Sequence, residues 1–219
     1  MNLLSKSNHA DSIKEPRSGF VFPGELCLRP QDRRCPRITG VGTRQKRLAG
    51  IKSLDIYAVA LYVDESGVTS LLGDRALKSA DEDSFAHDDA MFADLMKHSS
   101  LEKALRVVIT SALVKRKAFV SALDEQLKPP LSGTASEETL ANFGSMFDSV
   151  SFRKGMDISF FFERDAMITK VDGQEIGRLR DDRFSKAFLN LYLGSSPVSV
   201  KAKEDFGRGI YSMVTQKHR

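Results

Sequence analysis

Residues 40–64 read GVGTRQKRLAGIKSLDIYAVALYVD and end in a long β-type run. Successive side chains of an extended strand point to opposite faces, so this run divides its residues into two sets. One set is Tyr57, Val59, Leu61 and Val63, and the other is Ile56, Ala58, Ala60 and Tyr62. Because both sets are apolar, the sequence predicts a strand that is covered on both sides.

The segments before residue 131 alternate between extended and helical patterns. We expect a short extended piece from residue 19, a strand over about 37–43, acidic helices or loops over 66–98, a strand over 105–113 and a helix over 118–127. Pro129-Pro130 should end that helix, since the residue before a proline disfavours helical geometry.

The rest of the chain predicts one further helix, a meander of strands and two terminal helices. Thr134 to Glu137 match a capping box before a helix that runs through Phe147. Strands are expected at 156–162, 166–171 and up to 179, with Asp172-Gly173 as a turn, and a last helix opens at Ser196-Pro197. Before it, an apolar helical stripe is formed by Phe184, Ala187, Phe188, Leu191 and Tyr192, and Gly194 ends that helix. The sum is an α+β fold.

The chain has 219 residues, enough for one large domain. We expect residues 1–18 to be a disordered leader and residues 19–219 to be a single domain. The apolar stretches are far shorter than the roughly 20 residues that span a bilayer, so integral membrane contact is not expected. The leader is polar and contains acidic residues, which fits neither an export signal nor an acid-poor transit peptide.

The formal net charge is +4, and the basic residues do not form one dense block. The local runs are Arg33-Arg34, Arg44 to Arg47 and Lys115-Arg116-Lys117, each of which is typical of a solvated face. Nucleic-acid binding would need clustered charge interleaved with aromatic residues, and this pattern is missing. We therefore expect no nucleic-acid partner, and we expect a monomer.

Cys27 and Cys35 are the two cysteines, and neither lies in a CxxC motif. The histidines are scattered, so the sequence predicts no metal site and no cofactor. A reduced compartment is the simplest interpretation.

The segment GVGTR, Gly40 to Arg44, raises the question of a phosphate loop. It lacks the third glycine of the dinucleotide fingerprint and the Gly-Lys-Ser/Thr of a P-loop, and a strand follows it. What remains is an arginine at a glycine-rich turn, whose planar fork matches a carboxylate or phenolate. Tyr57 can join Arg44 as a two-point anion clamp, or it can be an ordinary core tyrosine.

Three stretches together resemble the chalcone isomerase superfamily. They are GFVFPGEL at 19–26, the segment at 40–64 quoted above, and RFSKAFLNLYLGSSPVSVKAK at 183–203. Their order is that of the family, and the match runs over roughly residues 19–215. The resemblance implies an open-faced β-sandwich, in which a long antiparallel sheet packs on helices and encloses a ligand cleft.

The superfamily contains chalcone isomerases and proteins that resemble fatty-acid-binding proteins. Arg44 matches the arginine that both classes share, and Tyr57 matches a position that is threonine in the enzymes and tyrosine in the binding proteins, with one extra residue between them. Ala118 or Phe119 stands where the enzymes have a tyrosine. Glu125 or Gln126 stands where they have an asparagine. Ser185 aligns with a threonine or serine of the enzymes, although it could equally be a surface cap.

These departures favour a non-catalytic protein that binds a fatty acid through Arg44, Tyr57, Phe119 and Ser185. An apolar cavity for the acyl chain could be lined by Val59, Leu61, Val107, Ile109, Phe119, Leu123, Phe188 and Leu191, each of which could equally be ordinary core. The alternatives are a chalcone isomerase that uses Arg44 on a phenolic substrate, and a modulator of flavonoid enzymes without a ligand of its own. The resemblance implies the plastid stroma, whereas the leader favours the cytoplasm unless a targeting segment has been removed.

Overall fold

The computed structural model describes residues 12–48 and 51–216. The strands are β1 (Ile13–Lys14), β2 (Val21–Phe22), β3 (Arg37–Leu48), β4 (Ile51–Val63), β5 (Lys103–Ile109), β6 (Asp157–Glu163), β7 (Ala166–Val171) and β8 (Gln174–Leu179). The helices are α1 (Glu65–Lys78), α2 (Glu82–Ala86), α3 (Asp89–Lys97), α4 (Arg116–Leu131), α5 (Ser136–Ser145), α6 (Asp182–Leu193) and α7 (Val200–Gln216). Within the described residues, no helix is long and apolar enough to cross a bilayer.

Strands β3 to β8 form one antiparallel sheet in which neighbours in the chain are neighbours in space. Helices α1–α3 lie in the chain between β4 and β5, and α4–α5 lie between β5 and β6. The predicted turn at Asp172-Gly173 is confirmed, since both residues have positive φ values of 49° and 83°, as a tight hairpin turn requires. The predicted meander is therefore present.

The predicted two-sided burial of β4 is also confirmed. Tyr57, Val59 and Leu61 belong to a large apolar core between the sheet and the helices. Ala58 and Tyr62 belong to a smaller core on the outer face of the sheet, under the N-terminal segment. The molecule is thus an open-faced β-sandwich, and residues 13–28 cover part of the outer face of its sheet.

The segment Gly40 to Arg44 lies inside β3, so the prediction that it forms a turn is wrong. Its backbone pairs with β4, and its glycines allow α7 to pack directly on the strand. A Cβ atom at Gly42 would lie 2.4 Å from the Cβ of Ala202. The glycines therefore fit a helix that comes some 160 residues later in the chain, which local sequence does not reveal.

Helix α4 continues to Leu131, so the prediction that Pro129-Pro130 ends it is also wrong. The two prolines occupy the last turn, which is closed by a 2.8 Å hydrogen bond from the Ser132 N–H to the Lys128 carbonyl. Leu127 and Leu131 are both fully buried. Packing of this apolar stripe holds the last turn in place.

The predicted leader extended to residue 18, and its second part is folded instead. Strand β1 pairs with β2, and the Glu15 carboxylate accepts hydrogen bonds from the Ser18 backbone and hydroxyl at 2.7 and 2.6 Å. Residues 1–11 of the predicted leader lie outside the described residues.

The cysteines are joined in a Cys27–Cys35 disulfide, which corrects the interpretation of reduced thiols. An antiparallel bridge between Glu25 and Arg37 brings the two ends of this loop together. The Cα atoms of the two cysteines are consequently 4.7 Å apart, within the usual span of a disulfide.

Candidate functional site

Arg44 and Tyr57 face each other directly across the β3–β4 pair. The Nη1 atom of Arg44 donates to the hydroxyl of Tyr57 at 3.4 Å, and its guanidinium carbon lies 5.7 Å from the ring centroid. Tyr57 is fully buried, whereas Arg44 is half-buried. The structure therefore brings together the two residues that the sequence paired.

A third residue, Tyr192 of α6, completes the group. Its hydroxyl lies 3.1 Å from the hydroxyl of Tyr57, in the buried core. The sequence placed Tyr192 on an apolar helical stripe and gave it no role in the site. The available signal was the residue type, because a buried tyrosine generally needs a hydrogen-bond partner that phenylalanine does not.

Burial controls the charges of this triad. It raises the pKa of Tyr192 well above the usual range, and the adjacent Tyr57 hydroxyl raises it further. Burial lowers the pKa of Arg44, but Tyr57, Tyr192 and the more distant Glu125 together outweigh burial, so the pKa of Arg44 rises. Arg44 therefore keeps its positive charge, and Tyr192 keeps its phenolic proton.

Arg44 has no carboxylate within ion-pairing distance among residues 12–48 and 51–216. Glu125 of α4 acts on it only as a more distant charge. Partial burial removes part of the hydration of a cation, and here no ion pair within the described residues compensates for this loss. Such a group attracts an anionic ligand.

Phe119 of α4 forms the apolar side of the site. Its ring meets that of Tyr57 edge to face, with centroids 6.2 Å apart. It also contacts Phe147 and Phe152, at 5.9 and 5.2 Å between centroids. Phe119 therefore connects the triad to an aromatic cluster that includes Phe147 and Phe152.

The eight residues predicted to line an acyl cavity all belong to the main core. None of them, nor Arg44, Tyr57 or Tyr192, lines any of five cavities found among the described residues. The largest, about 600 Å³, lies between the N-terminal segment, β3 and the start of α7. Side chains fill the space beside the triad in this conformation.

Ser185 lies apart from this group, and its predicted contact with the ligand stays a prediction. Its hydroxyl donates to the Asp181 carbonyl at 2.9 Å, in the first turn of α6. Seven residues separate it from Tyr192, about 10 Å along a helix. Its alternative interpretation as a cap is wrong, because the cap of α6 is Asp181, whose carboxylate accepts the Phe184 N–H at 2.9 Å.

No group of three or more His, Cys, Asp or Glu side chains in the described part of the chain is arranged to hold a metal ion. The triad itself offers one cation and two phenolic hydroxyls, next to an aromatic cluster. The fold and the site define a chalcone-isomerase-like sandwich with a cationic group at the edge of its core.

Comparison with known proteins agrees with this class. A family model described as chalcone isomerase-like matches residues 85–206, more than half of the chain. The chain therefore belongs to the chalcone isomerase-like family, as its sequence motifs indicated.

Two relatives from Arabidopsis thaliana are similar over most of this chain. Fatty-acid-binding protein 1 is 30% identical over 205 residues, which cover 90% of this chain and 69% of that protein. Fatty-acid-binding protein 2 is 29% identical over 206 residues, covering 91% and 51% respectively, so this chain spans about half of its length.

A relative from Humulus lupulus and a solved structure extend the comparison. Chalcone isomerase-like protein 1 of Humulus lupulus is 27% identical, and the match covers 95% of both chains. The crystal structure of an Arabidopsis thaliana fatty-acid-binding protein superposes with a TM-score of 0.77 at 26% identity, covering 94% of this chain and all of that one. The predicted fold is thereby confirmed.

Proposed function

We propose that this protein binds a fatty acid, holds its carboxylate at Arg44 and Tyr57, and does not transform it. The observation that carries the proposal is the half-buried Arg44 cation, which contacts a buried tyrosine hydroxyl and has no anionic partner among the described residues. Similarity to two proteins named fatty-acid-binding proteins supports the same ligand class.

Hydrogen-bond accounting assigns each hydroxyl a direction. A guanidinium only donates, so Arg44 uses one lone pair of the Tyr57 oxygen. If Tyr192 donates to the second lone pair, the Tyr57 proton is free to point at a ligand oxygen. One carboxylate oxygen then accepts from Tyr57 and the other from Arg44, which fits a fork-shaped anion.

The acyl chain would enter the aromatic cluster around Phe119. Phe152 is half-buried and lies in the loop that precedes β6, so it can move more easily than Phe143 or Phe147, which are buried inside the cluster. Because side chains fill this space without a ligand, binding must displace some of them. We therefore expect the affinity to depend on chain length.

Catalysis is not expected, because the hydroxyl that the enzymes place near Arg44 has no counterpart on α4. Ala118 is exposed and apolar, and Phe119 has no hydroxyl. Removing one positioned donor from a developing charge costs about 2.7–4 kcal/mol. Arg44 alone would leave a chalcone cyclisation with little stabilisation.

The test is a titration with dodecanoic acid, monitored by calorimetry, for the wild type and Arg44→Gln. Losing a charge-assisted hydrogen bond should weaken binding by about 10- to 150-fold. Arg37→Gln is the matched control, since it neutralises an arginine on the same strand that pairs with Glu65. 1-Dodecanol has no carboxylate and should bind the wild type and Arg44→Gln alike. If the wild type and Arg44→Gln bind dodecanoate with equal affinity, Arg44 does not hold the carboxylate and the proposal is wrong.

A second candidate function is favoured by the filled core beside the triad. A protein that modulates enzymes of flavonoid synthesis without its own ligand needs no cavity, and Phe119 lines none of the five cavities described above. Native mass spectrometry separates the two functions. A retained fatty acid supports the binding protein, and a bare chain that also fails the titration supports the modulator.

A further inference from the structure

The connection from β5 to α4 begins at the end of the sheet where Arg44 and Tyr57 lie. Tyr57 pairs with Ile109, the last residue of β5, and the Thr110 hydroxyl bonds to the Asp55 carbonyl at 2.7 Å. The connection from Thr110 to α4 therefore starts beside the triad, and Phe119 returns to it.

This connection carries an exposed apolar side chain within a basic segment. Leu113 is 70% exposed, and Lys115 and Lys117 on its C-terminal side are exposed too. Leu113 is the most exposed large apolar residue in the described part of the chain. A leucine in this position gains nothing from the fold itself.

Two more exposed lysines share this end of the molecule. Lys46 follows Arg44 on β3, where its backbone pairs with Leu54. Lys154 precedes Gly155, whose N–H bonds to the Ile109 carbonyl at 2.8 Å. None of the four lysines forms an ion pair within the residues that the structure describes.

Three of the acidic side chains at this end are paired with arginines. Asp55 pairs with Arg17 at 3.1 Å and Asp172 with Arg153 at 2.7 Å. A third pair joins Arg116 to Asp148. These three carboxylates therefore do not pair with the lysines around Leu113.

We propose that this end of the sheet, defined as the basic end by Lys46, Leu113, Lys115, Lys117 and Lys154, docks on an anionic lipid surface. Leu113 inserts among the headgroups, and the four lysines contact lipid phosphates. Docking places Arg44 at the bilayer interface, where the carboxylates of free fatty acids lie. Docking needs no bound fatty acid, although its benefit for ligand transfer rests on the proposed function.

The expected strength follows from the number of charges. Each lysine close to an anionic leaflet contributes a factor of about five to the partition coefficient. Removing two lysines should therefore weaken docking by about 25-fold. A high salt concentration should abolish most of it, because the contacts are exposed and screened.

The experiment is sedimentation with vesicles of phosphatidylcholine alone, or mixed with an equal share of phosphatidylglycerol, without fatty acid. We compare the wild type with Lys115→Gln/Lys117→Gln and with Leu113→Ala. The matched control is Lys97→Gln/Lys128→Gln, which removes the same charge near the other end of α4, where Lys97 lies close to Pro130. Leu77→Ala is the control for Leu113→Ala, since Leu77 is 59% exposed on α1.

The proposal expects binding to anionic vesicles only, lost in the basic-end variants and kept in both controls. It is overturned if wild type binds neither vesicle type, or if Lys97→Gln/Lys128→Gln loses as much binding as Lys115→Gln/Lys117→Gln. If the basic end binds an acidic protein instead of a lipid surface, the wild type should bind neither vesicle type. The dodecanoate titration is made without vesicles, so failure of docking and failure of the clamp are separate results.

Discussion

Replacing Tyr57 by phenylalanine removes the central hydroxyl of the triad and leaves its ring in place. Two groups then lose a partner at once. Tyr192 keeps a buried hydroxyl whose hydrogen bond to Tyr57 is gone, and Arg44 loses the acceptor at 3.4 Å. Because the ring stays, its packing against Phe119 should not change.

The magnitude follows from these two losses. An unsatisfied buried hydroxyl costs about 1–3 kcal/mol, which for a chain of this size lowers the melting temperature by about 2–12 °C. The affinity for dodecanoate loses one charge-assisted hydrogen bond and should fall by about 10- to 150-fold. Tyr192→Phe leaves Tyr57 bonded to Arg44, so it should lower stability by about 1 kcal/mol and affinity by less than about threefold.

The assay combines denaturant unfolding with dodecanoate titration for both variants and their double mutant. Tyr62→Phe is the matched control on the same strand. Tyr62 points to the outer face, where its buried hydroxyl interacts with Arg106 and not with the triad. Removing that hydroxyl should leave the affinity for dodecanoate unchanged. Unchanged affinity in Tyr57→Phe, or an equal loss in Tyr192→Phe, would refute the assigned hydrogen-bond directions.

Two further predictions concern the scaffold. Gly42→Ala places a Cβ 2.4 Å from the Cβ of Ala202 and should lower the free energy of unfolding by about 1–3 kcal/mol. Gly144→Ala is the control, since its Cβ would meet Val120 at an ordinary 3.5 Å and should not lower that free energy. If urea titrations give both variants the same stability, the close contact of α7 with β3 is contradicted. Burial lowers the pKa of Lys103 from 10.5 to about 8, so the unfolded chain binds more protons between these values and stability should rise with pH across that window. Lys103→Met should remove this rise, as measured by denaturant midpoints along the pH series.

The sequence predicted the parts of the fold that depend on side-chain periodicity. The alternation of residues 56–63 foretold burial on both faces of β4, and the stripe of Phe184, Phe188 and Tyr192 foretold the inward face of α6. Each of these patterns repeats within one element, so it can be recognised without knowing what packs against it.

The parts that failed depend on contacts between distant elements. Gly40 and Gly42 suggested a turn, yet their role is to admit α7. Tyr192 was placed on the correct face, but its bond to Tyr57 depends on how α6 lies over β4.

The pairing of Arg44 with Tyr57 stands between these cases. The family motif suggested that the two residues act together, across an alignment gap of one residue. The β3–β4 pair has register shifts after Arg44 and again before Leu48, so their direct opposition could not be counted from the hairpin. The roles of Arg44, Tyr57, Phe119 and Ser185 in ligand binding remain predictions, and the titrations above test those of Arg44 and Tyr57.

The two outer strands of the sheet differ in how they avoid pairing with a second copy of the chain. On β3, the Asp205 carboxylate of α7 accepts the Val41 N–H at 2.7 Å, and Ser199 donates to the Thr43 carbonyl at 3.0 Å. These side chains occupy backbone groups that would otherwise be a template for strand addition and aggregation. Strand β8 is short and charged, with Glu175 and Arg178. Truncation before α7 would therefore uncover one edge only, and we expect the shortened chain to aggregate through β3.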